Sequence, residues 1–198
     1  MEPDNTTSCE EFSRYARFNP YSVTDEYWFV FYYWAPPLGY LKYLFKVPDA
    51  EERAYLHHLT DGKVEVPVNW TAKIVILKDM YNVTKLLVER SDRGEYWLYP
   101  LITSEKIEPE DVRFKQTGDN KYICLVHCDS MKAFVMSRYS DIPRKNKIQD
   151  EAAKFGFKSR GGKSYLYQGH HWMPIGEADD IEFRLPPQHA ARYHVYGY

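Results

Sequence analysis

The chain has 198 residues, of which 44% are hydrophobic, 17% aromatic and 27% charged, so it fits one domain with a sizeable core and shows no composition break between two. A net charge of −2 without any Lys/Arg block offers no field for nucleic acid or an anionic membrane. No apolar stretch reaches the ~20 residues that a bilayer-crossing helix needs, so no membrane span and a soluble protein are expected, and the polar start Met1-Glu2-Pro3-Asp4-Asn5 does not read as a signal peptide.

The first element is the run Tyr27-Trp28-Phe29-Val30-Phe31-Tyr32-Tyr33-Trp34, entered through Thr24-Asp25-Glu26 and stopped by Ala35-Pro36-Pro37. Aromatic and β-branched residues suit a pleated surface, and the prolines cannot donate to a ladder, so the run reads as one strand. Both of its faces are apolar, which places it between two layers or along an enclosed apolar space. Further strands are expected at Tyr40 to Phe45, Arg53 to Leu59, Lys63 to Val68, Ala72 to Leu77, Lys85 to Glu89, Glu95 to Ile102, Tyr122 to His127 and Ala133 to Ser137. Turn chemistry separates them, with Asp61-Gly62 and Arg93-Gly94 suited to tight hairpins. Short strands at this spacing, without a helix-period segment among them, argue an antiparallel barrel or sandwich.

A helix follows at about 142–156. Asp141 is its expected N-cap, Pro143 sits in the first turn, Ile148, Ala152 and Phe155 recur at helical spacing, and Gly156 ends it. It is amphipathic and would lie against the outside of the strands. Ser164 to Tyr167 reads as a short returning strand. The tail from Gln168 to Tyr198 holds Trp172, Phe183, Tyr193, Tyr196 and Tyr198, too aromatic for a disordered end. Its Ile181-Glu182-Phe183-Arg184-Leu185 segment could pair with a strand edge of the same molecule or of a second copy, giving a homodimer through the tail or a barrel edge.

Three sequons, at Asn5, Asn69 and Asn82, together with cysteines able to form a bridge, favour a secreted, glycosylated chain. Cys9, Cys124 and Cys128 permit one disulfide and one free thiol, in three pairings. Metal binding is not expected: Cys124 and Cys128 have no second pair of ligands at suitable spacing, and the adjacent histidines His57-His58 and His170-His171 would point opposite ways on strands. Cys124 is weighed as a nucleophile, with no neighbour in sequence to lower its pKa except His127. Asp49, Glu51, Glu52 and Asp79 are candidates for holding an amine at a barrel mouth.

The order of parts resembles a lipocalin, an eight-stranded up-and-down antiparallel barrel with one ligand cavity, over about residues 9 to 168. Three motifs carry the resemblance. Glu26-Tyr27-Trp28 matches the family's Gly-x-Trp entry, with glutamate in the glycine position. Gly118-Asp119-Asn120-Lys121-Tyr122 matches Thr-Asp-x-x-Tyr apart from the threonine, and Arg138 after Phe134-Val135-Met136-Ser137 matches the arginine that ends the strand before the helix. The succession of Tyr122 to Asp129, Ala133 to Arg138, the helix and Phe155-Gly156-Phe157 is similar to that of insect bilin-binding lipocalins.

The resemblance implies a barrel over about 22–140, the helix outside it, and a short strand and tail at 163–198, all in a single domain. It also implies a Cys9–Cys128 bridge, worth roughly 3–5 kcal/mol for a loop of that length, and a structural set of Trp28, Arg138, Asp119 and Tyr122. Arg138 would lie over Trp28 and plug the floor at ~1–2 kcal/mol. Ligand-lining positions would be Val30, Tyr32, Trp34, Tyr43, Phe45, Tyr55, Val66, Ile74, Ile76, Leu87, Tyr96, Leu98, Leu125 and Phe134. A barrel so lined would carry a small hydrophobic ligand such as a fatty acid, terpenoid or retinoid, or a chromophore such as biliverdin or a carotenoid, with no catalysis and no required cofactor. The competing expectations are an amine scavenger, a storage glycoprotein, and a thiol isomerase using Cys124.

Overall fold

The computed structural model describes residues 6–34, 41–81, 83–101, 106–160 and 162–164. Its strands are β1 (Tyr27–Trp34), β2 (Lys42–Lys46), β3 (Ile74–Asp79), β4 (Thr84–Ser91), β5 (Glu95–Pro100), β6 (Glu110–Gln116), β7 (Tyr122–His127), β8 (Lys132–Ser137) and β9 (Gly162–Lys163). Antiparallel pairing runs in chain order from β2 to β8 and on to β1, and β1 pairs back onto β2. These eight strands close into a barrel, and β9 adds to the upper end of β1. Closure leaves β1 no open edge along its lower half, where one side meets β8 and the other β2.

The helices are α1 (Cys9–Ser13), α2 (Ala50–Thr60) and α3 (Ile148–Ala153). Residues 53–59, expected as a strand, belong to α2. Asp49 accepts from the Glu52 amide at 2.8 Å while the Glu52 carboxylate accepts from the Asp49 amide at 3.1 Å, a full capping box. Good helix formers follow, and the buried pair Leu56 and Thr60 lies one turn apart on a single face. Asp61-Gly62, expected as a hairpin turn, instead stops this helix, with Gly62 at φ +67°. Residues 63–68, also expected as a strand, make only a single parallel bridge, Val64 to Ile107. Conversely β6 was not among the expected strands. Its four charged residues mask the alternation of Val112 and Phe114, which are both fully buried.

The C-terminal helix is shorter than expected. Tyr139–Asp141 forms one 3-10 turn, so Asp141 caps nothing in α3, and regular helix begins only at Ile148. Lys145, Asn146 and Lys147 contribute no buried residue, whereas Ile148, Ala152 and Phe155 are each under 5% exposed. The final short strand lies at Gly162–Lys163, starting two residues before the position expected for it. Tyr165 to Tyr167, the tail with its 181–185 segment, His170-His171, and the sequons at Asn5 and Asn82 all fall outside the described residues.

Two apolar layers explain the two-faced β1. Inside the barrel and beneath α1, α3, Phe155 and Phe157 lies one large cluster, and a second, of Leu56, Ile74, Ile76, Leu86, Val88, Tyr99 and Ile107, joins α2 to the outer face of β3, β4 and β5. The Cys9–Cys128 disulfide ties α1 to the end of β7 across 119 residues of sequence.

Candidate functional site

Strand register decides which side chains reach the lumen. Phe45 pairs with Leu77, Val75 with Leu87, Leu87 with Leu98, Tyr96 with Val112, Phe114 with Leu125, and Leu125 with Phe134. Directly paired residues share a face, so this chain of pairs marks the inner wall. Met136 opposite Val30 and Tyr43 opposite Trp28 extend it.

Along β1 the register shifts between Val30 and Tyr32. This bulge gives two β1 residues, Phe31 and Tyr32, one partner on β8, so the alternation resumes a residue late. Val30 and Tyr33 face inward, while Tyr32 and Trp34, expected to line a ligand, face outward. There the Tyr32 and Trp34 rings meet edge to face at 4.9 Å, and Trp34 packs on Phe157 at 5.1 Å. Four other expected lining residues also lie outside the lumen. Ile74 and Ile76 pack beneath α2, and Tyr55 stands on α2 itself, 61% exposed. Val66 is on the outer segment, where its carbonyl accepts from the Tyr99 hydroxyl at 3.1 Å.

The lower lumen is filled. Phe18 stacks on Phe114 at 4.5 Å and meets Tyr96 at 5.6 Å, and Phe45 completes the cluster at 6.1 Å from Phe114. Phe45 and Tyr96 are thus inward-facing but belong to the floor. Below them Arg138 lies 4.6 Å over the Trp28 indole, whose N–H donates to the Val23 carbonyl at 2.9 Å. Arg138 also pairs with Glu26 and donates to the Asn120 carbonyl at 3.0 Å. The positive φ near this entry falls on Asp25 at 66°, so glutamate at position 26 carries no backbone penalty and supplies the counter-ion. In the β6–β7 turn, Thr117 takes the part of the missing threonine from one residue earlier. Its hydroxyl donates to Asp119 at 2.6 Å and accepts from the Tyr122 amide at 3.1 Å.

The upper wall is different in kind. Val30, Leu77, Leu87, Leu98, Val112, Leu125, Phe134 and Met136 are all buried and inward by register. Above them is a charged rim. His127 Nδ1 lies 2.9 Å from Glu110 Oε2, and this hydrogen bond holds the Glu110 carboxyl below the ordinary glutamate range, with Lys85 and Lys132 adding to the effect. Lys85 is opposite Leu77 and Lys132 opposite His127, so both stand on the inner face at the mouth. Tyr43 reaches the same region: burial, then the Asp79 and Glu110 carboxylates, push its phenol well above the usual value, so it remains a neutral donor. Glu110, His127, Lys85 and Lys132 were not read as site residues. Glu110 and Lys85 are charged residues on strands whose facing only the register reveals, and His127 was considered only beside Cys124.

Three of the four acids considered for an amine, all but the exposed Glu51, have structural duties. Asp79 accepts from the Tyr81 and Val83 amides at 2.9 and 3.0 Å and so closes the β3–β4 turn. Asp49 and Glu52 form the cap of α2, where Lys46 binds Glu52 at 2.5 Å, and the His57-His58 pair lies on that helix rather than on a strand. Cys124 is fully buried on the outer face of β7, opposite Lys115 and Val135, and burial pushes its thiol far above the usual range. It does not open into the lumen. Among the described residues no cluster of His, Cys, Asp and Glu could hold a metal, and no helix is long and apolar enough to cross a membrane.

Surface clefts lie outside the barrel among the described residues. One of about 440 Å³ separates α2 from the outer sheet and is lined by Tyr55, Leu56, Leu59, Ile76 and Leu101 among others. Another, of about 720 Å³, lies beneath the closed end. No family model, no curated protein and no solved structure matches the chain. The fold class stands on the closed eight-stranded barrel alone.

Proposed function

We propose that the protein is a lipocalin-like carrier that sequesters one small, elongated hydrophobic molecule with an anionic end group, without chemistry. The observation that carries this reading is the division of the lumen: an aromatic floor, an aliphatic wall above it, and Lys85 and Lys132 at the rim. An aliphatic wall suits an apolar chain, and two ammonium groups with the Tyr43 phenol suit a carboxylate at its end. Glu110 is already engaged by His127 at 2.9 Å, which leaves Lys85 and Lys132 as the rim groups suited to an anion. Most of the upper wall is aliphatic, with Phe134 and Tyr33 as its aromatic members, so a fatty acid or carboxylated terpenoid fits better than a flat chromophore. The disulfide and the exposed Asn69 sequon support a secreted, glycosylated chain. The buried position of Cys124 on the outer face supports binding over thiol catalysis.

The test compares head groups. Palmitic acid and hexadecanol are each used to displace a fluorescent fatty-acid probe from the wild type and from Lys85→Ala/Lys132→Ala. The acid should bind more tightly than the alcohol, and the double variant should lose about tenfold for the acid alone, the order of one charge-assisted contact. Equal binding of acid and alcohol in both proteins would remove the anionic part of the proposal, and failure of both to displace the probe would remove the lumen.

A further inference from the structure

The cleft of about 720 Å³ beneath the floor has a charge unlike that of the whole chain. Arg14, Arg17 and Arg93 line it with one acid, Asp92, whereas the chain carries a net charge of −2. All three arginines are exposed, and among the described residues none of their guanidinium groups has an ion-pair or hydrogen-bond partner. Tyr15, 82% exposed, stands between the first two in sequence.

The backbone under these side chains is fixed. Phe18 is stacked into the floor, the Arg17 carbonyl accepts from the Gln116 amide at 2.9 Å, and the Asn19 amide donates to Gln116 Oε1 at 3.3 Å. On the other wall, the Arg93 amide donates to Ser91 Oγ at 3.2 Å, and the Gly94 carbonyl accepts from the Phe114 amide at 2.7 Å. Two segments far apart in sequence are therefore anchored to the same barrel end, each presenting unpaired guanidinium. Such forks match the oxygens of phosphate and sulfate, and an exposed phenol beside them offers a face to a ring. The volume is that of a small-molecule site.

We infer that this cleft is a second binding site, separate from the lumen, for a small organic anion bearing a phosphate or sulfate group. Arg14, Arg17 and Arg93 hold the anion, and Tyr15 packs on the organic part. Asp92 lowers affinity by its like charge, so removing it should tighten binding.

The experiment follows phenyl phosphate, phenyl sulfate, inorganic phosphate and heparin binding to the full chain by equilibrium dialysis at low salt. Phenyl phosphate or phenyl sulfate should bind one per chain and more tightly than inorganic phosphate. Arg14→Gln/Arg17→Gln/Arg93→Gln should lose at least about tenfold, Tyr15→Ala should remove the advantage of the aryl compounds, and Asp92→Asn should bind more tightly. These positions are exposed, so an unchanged melting temperature and unchanged palmitate binding verify the fold of each variant. The inference is overturned if the aryl anions do not bind, if the triple variant binds them as well as the wild type, or if heparin alone binds.

Discussion

Gly94 closes the β4–β5 hairpin with φ +71°, and a Cβ there would run into the Phe114 carbonyl oxygen. Backbone and contact thus both demand glycine. Gly94→Ala should cost about 3 kcal/mol, read as a lowered urea midpoint at constant slope, because φ strain and the clash act together. Glu110 tests the rim at the same scale. Its carboxyl titrates lower folded than unfolded, so its pair with His127 adds stability above the ordinary glutamate value, and that contribution is lost as pH falls through the lower folded value. Wild type should therefore exceed Glu110→Gln in urea midpoint near neutral pH and converge with it in acid. A constant gap across that range would show that Glu110 acts through packing instead.

Among elements, α2 shows most clearly where the sequence misleads. Its Tyr55, Leu56 and Leu59 resemble a strand's apolar run, and the signal that outweighs them is the Asp49-x-x-Glu52 box one residue before the helix. Asp49→Ala should cost about 1 kcal/mol of stability while leaving palmitate affinity unchanged, since α2 packs on the outer wall. A fall in affinity would place the ligand beside α2. The β1 bulge is less legible. The residues Val30-Phe31-Tyr32-Tyr33 contain no glycine or proline to announce it, and it is visible only once Met136 and Phe134 are found opposite Val30 and Tyr33. One residue of slip moved Tyr32 and Trp34 out of the lumen and Tyr33 into it. β6 was hidden by its charges, and with it went Glu110. Strand alternation is thus readable, but the face it presents depends on pairing that no single strand encodes.

For the whole molecule, closure is what turns these strands into a vessel. An open sheet with the same residues would expose the aliphatic wall, whereas β1 pairing with both β8 and β2 encloses it. The Trp28–Arg138 stack holds the floor end, the Cys9–Cys128 bridge ties α1 to β7 one residue beyond His127 at the rim, and α2 and α3 pack on the outside. The end opposite the floor carries the charged rim of Lys85, Glu110, His127 and Lys132. Strand spacing argued a barrel or sandwich, and three cysteines left three pairings open. The eight-stranded barrel and the Cys9–Cys128 bridge were legible only through the resemblance in the order of parts, which does not depend on which way a side chain points.

The outer cleft beside α2 is the rival location for an apolar ligand, and native mass spectrometry of the full chain titrated with palmitic acid separates it from the lumen. One bound molecule per chain is predicted for the wild type and for Tyr55→Ala, and loss of that adduct in Leu98→Trp and Leu87→Trp variants that retain the wild-type circular dichroism. Binding that survives both tryptophan variants and disappears in Tyr55→Ala, or no adduct in the wild type, would contradict a ligand held within the barrel.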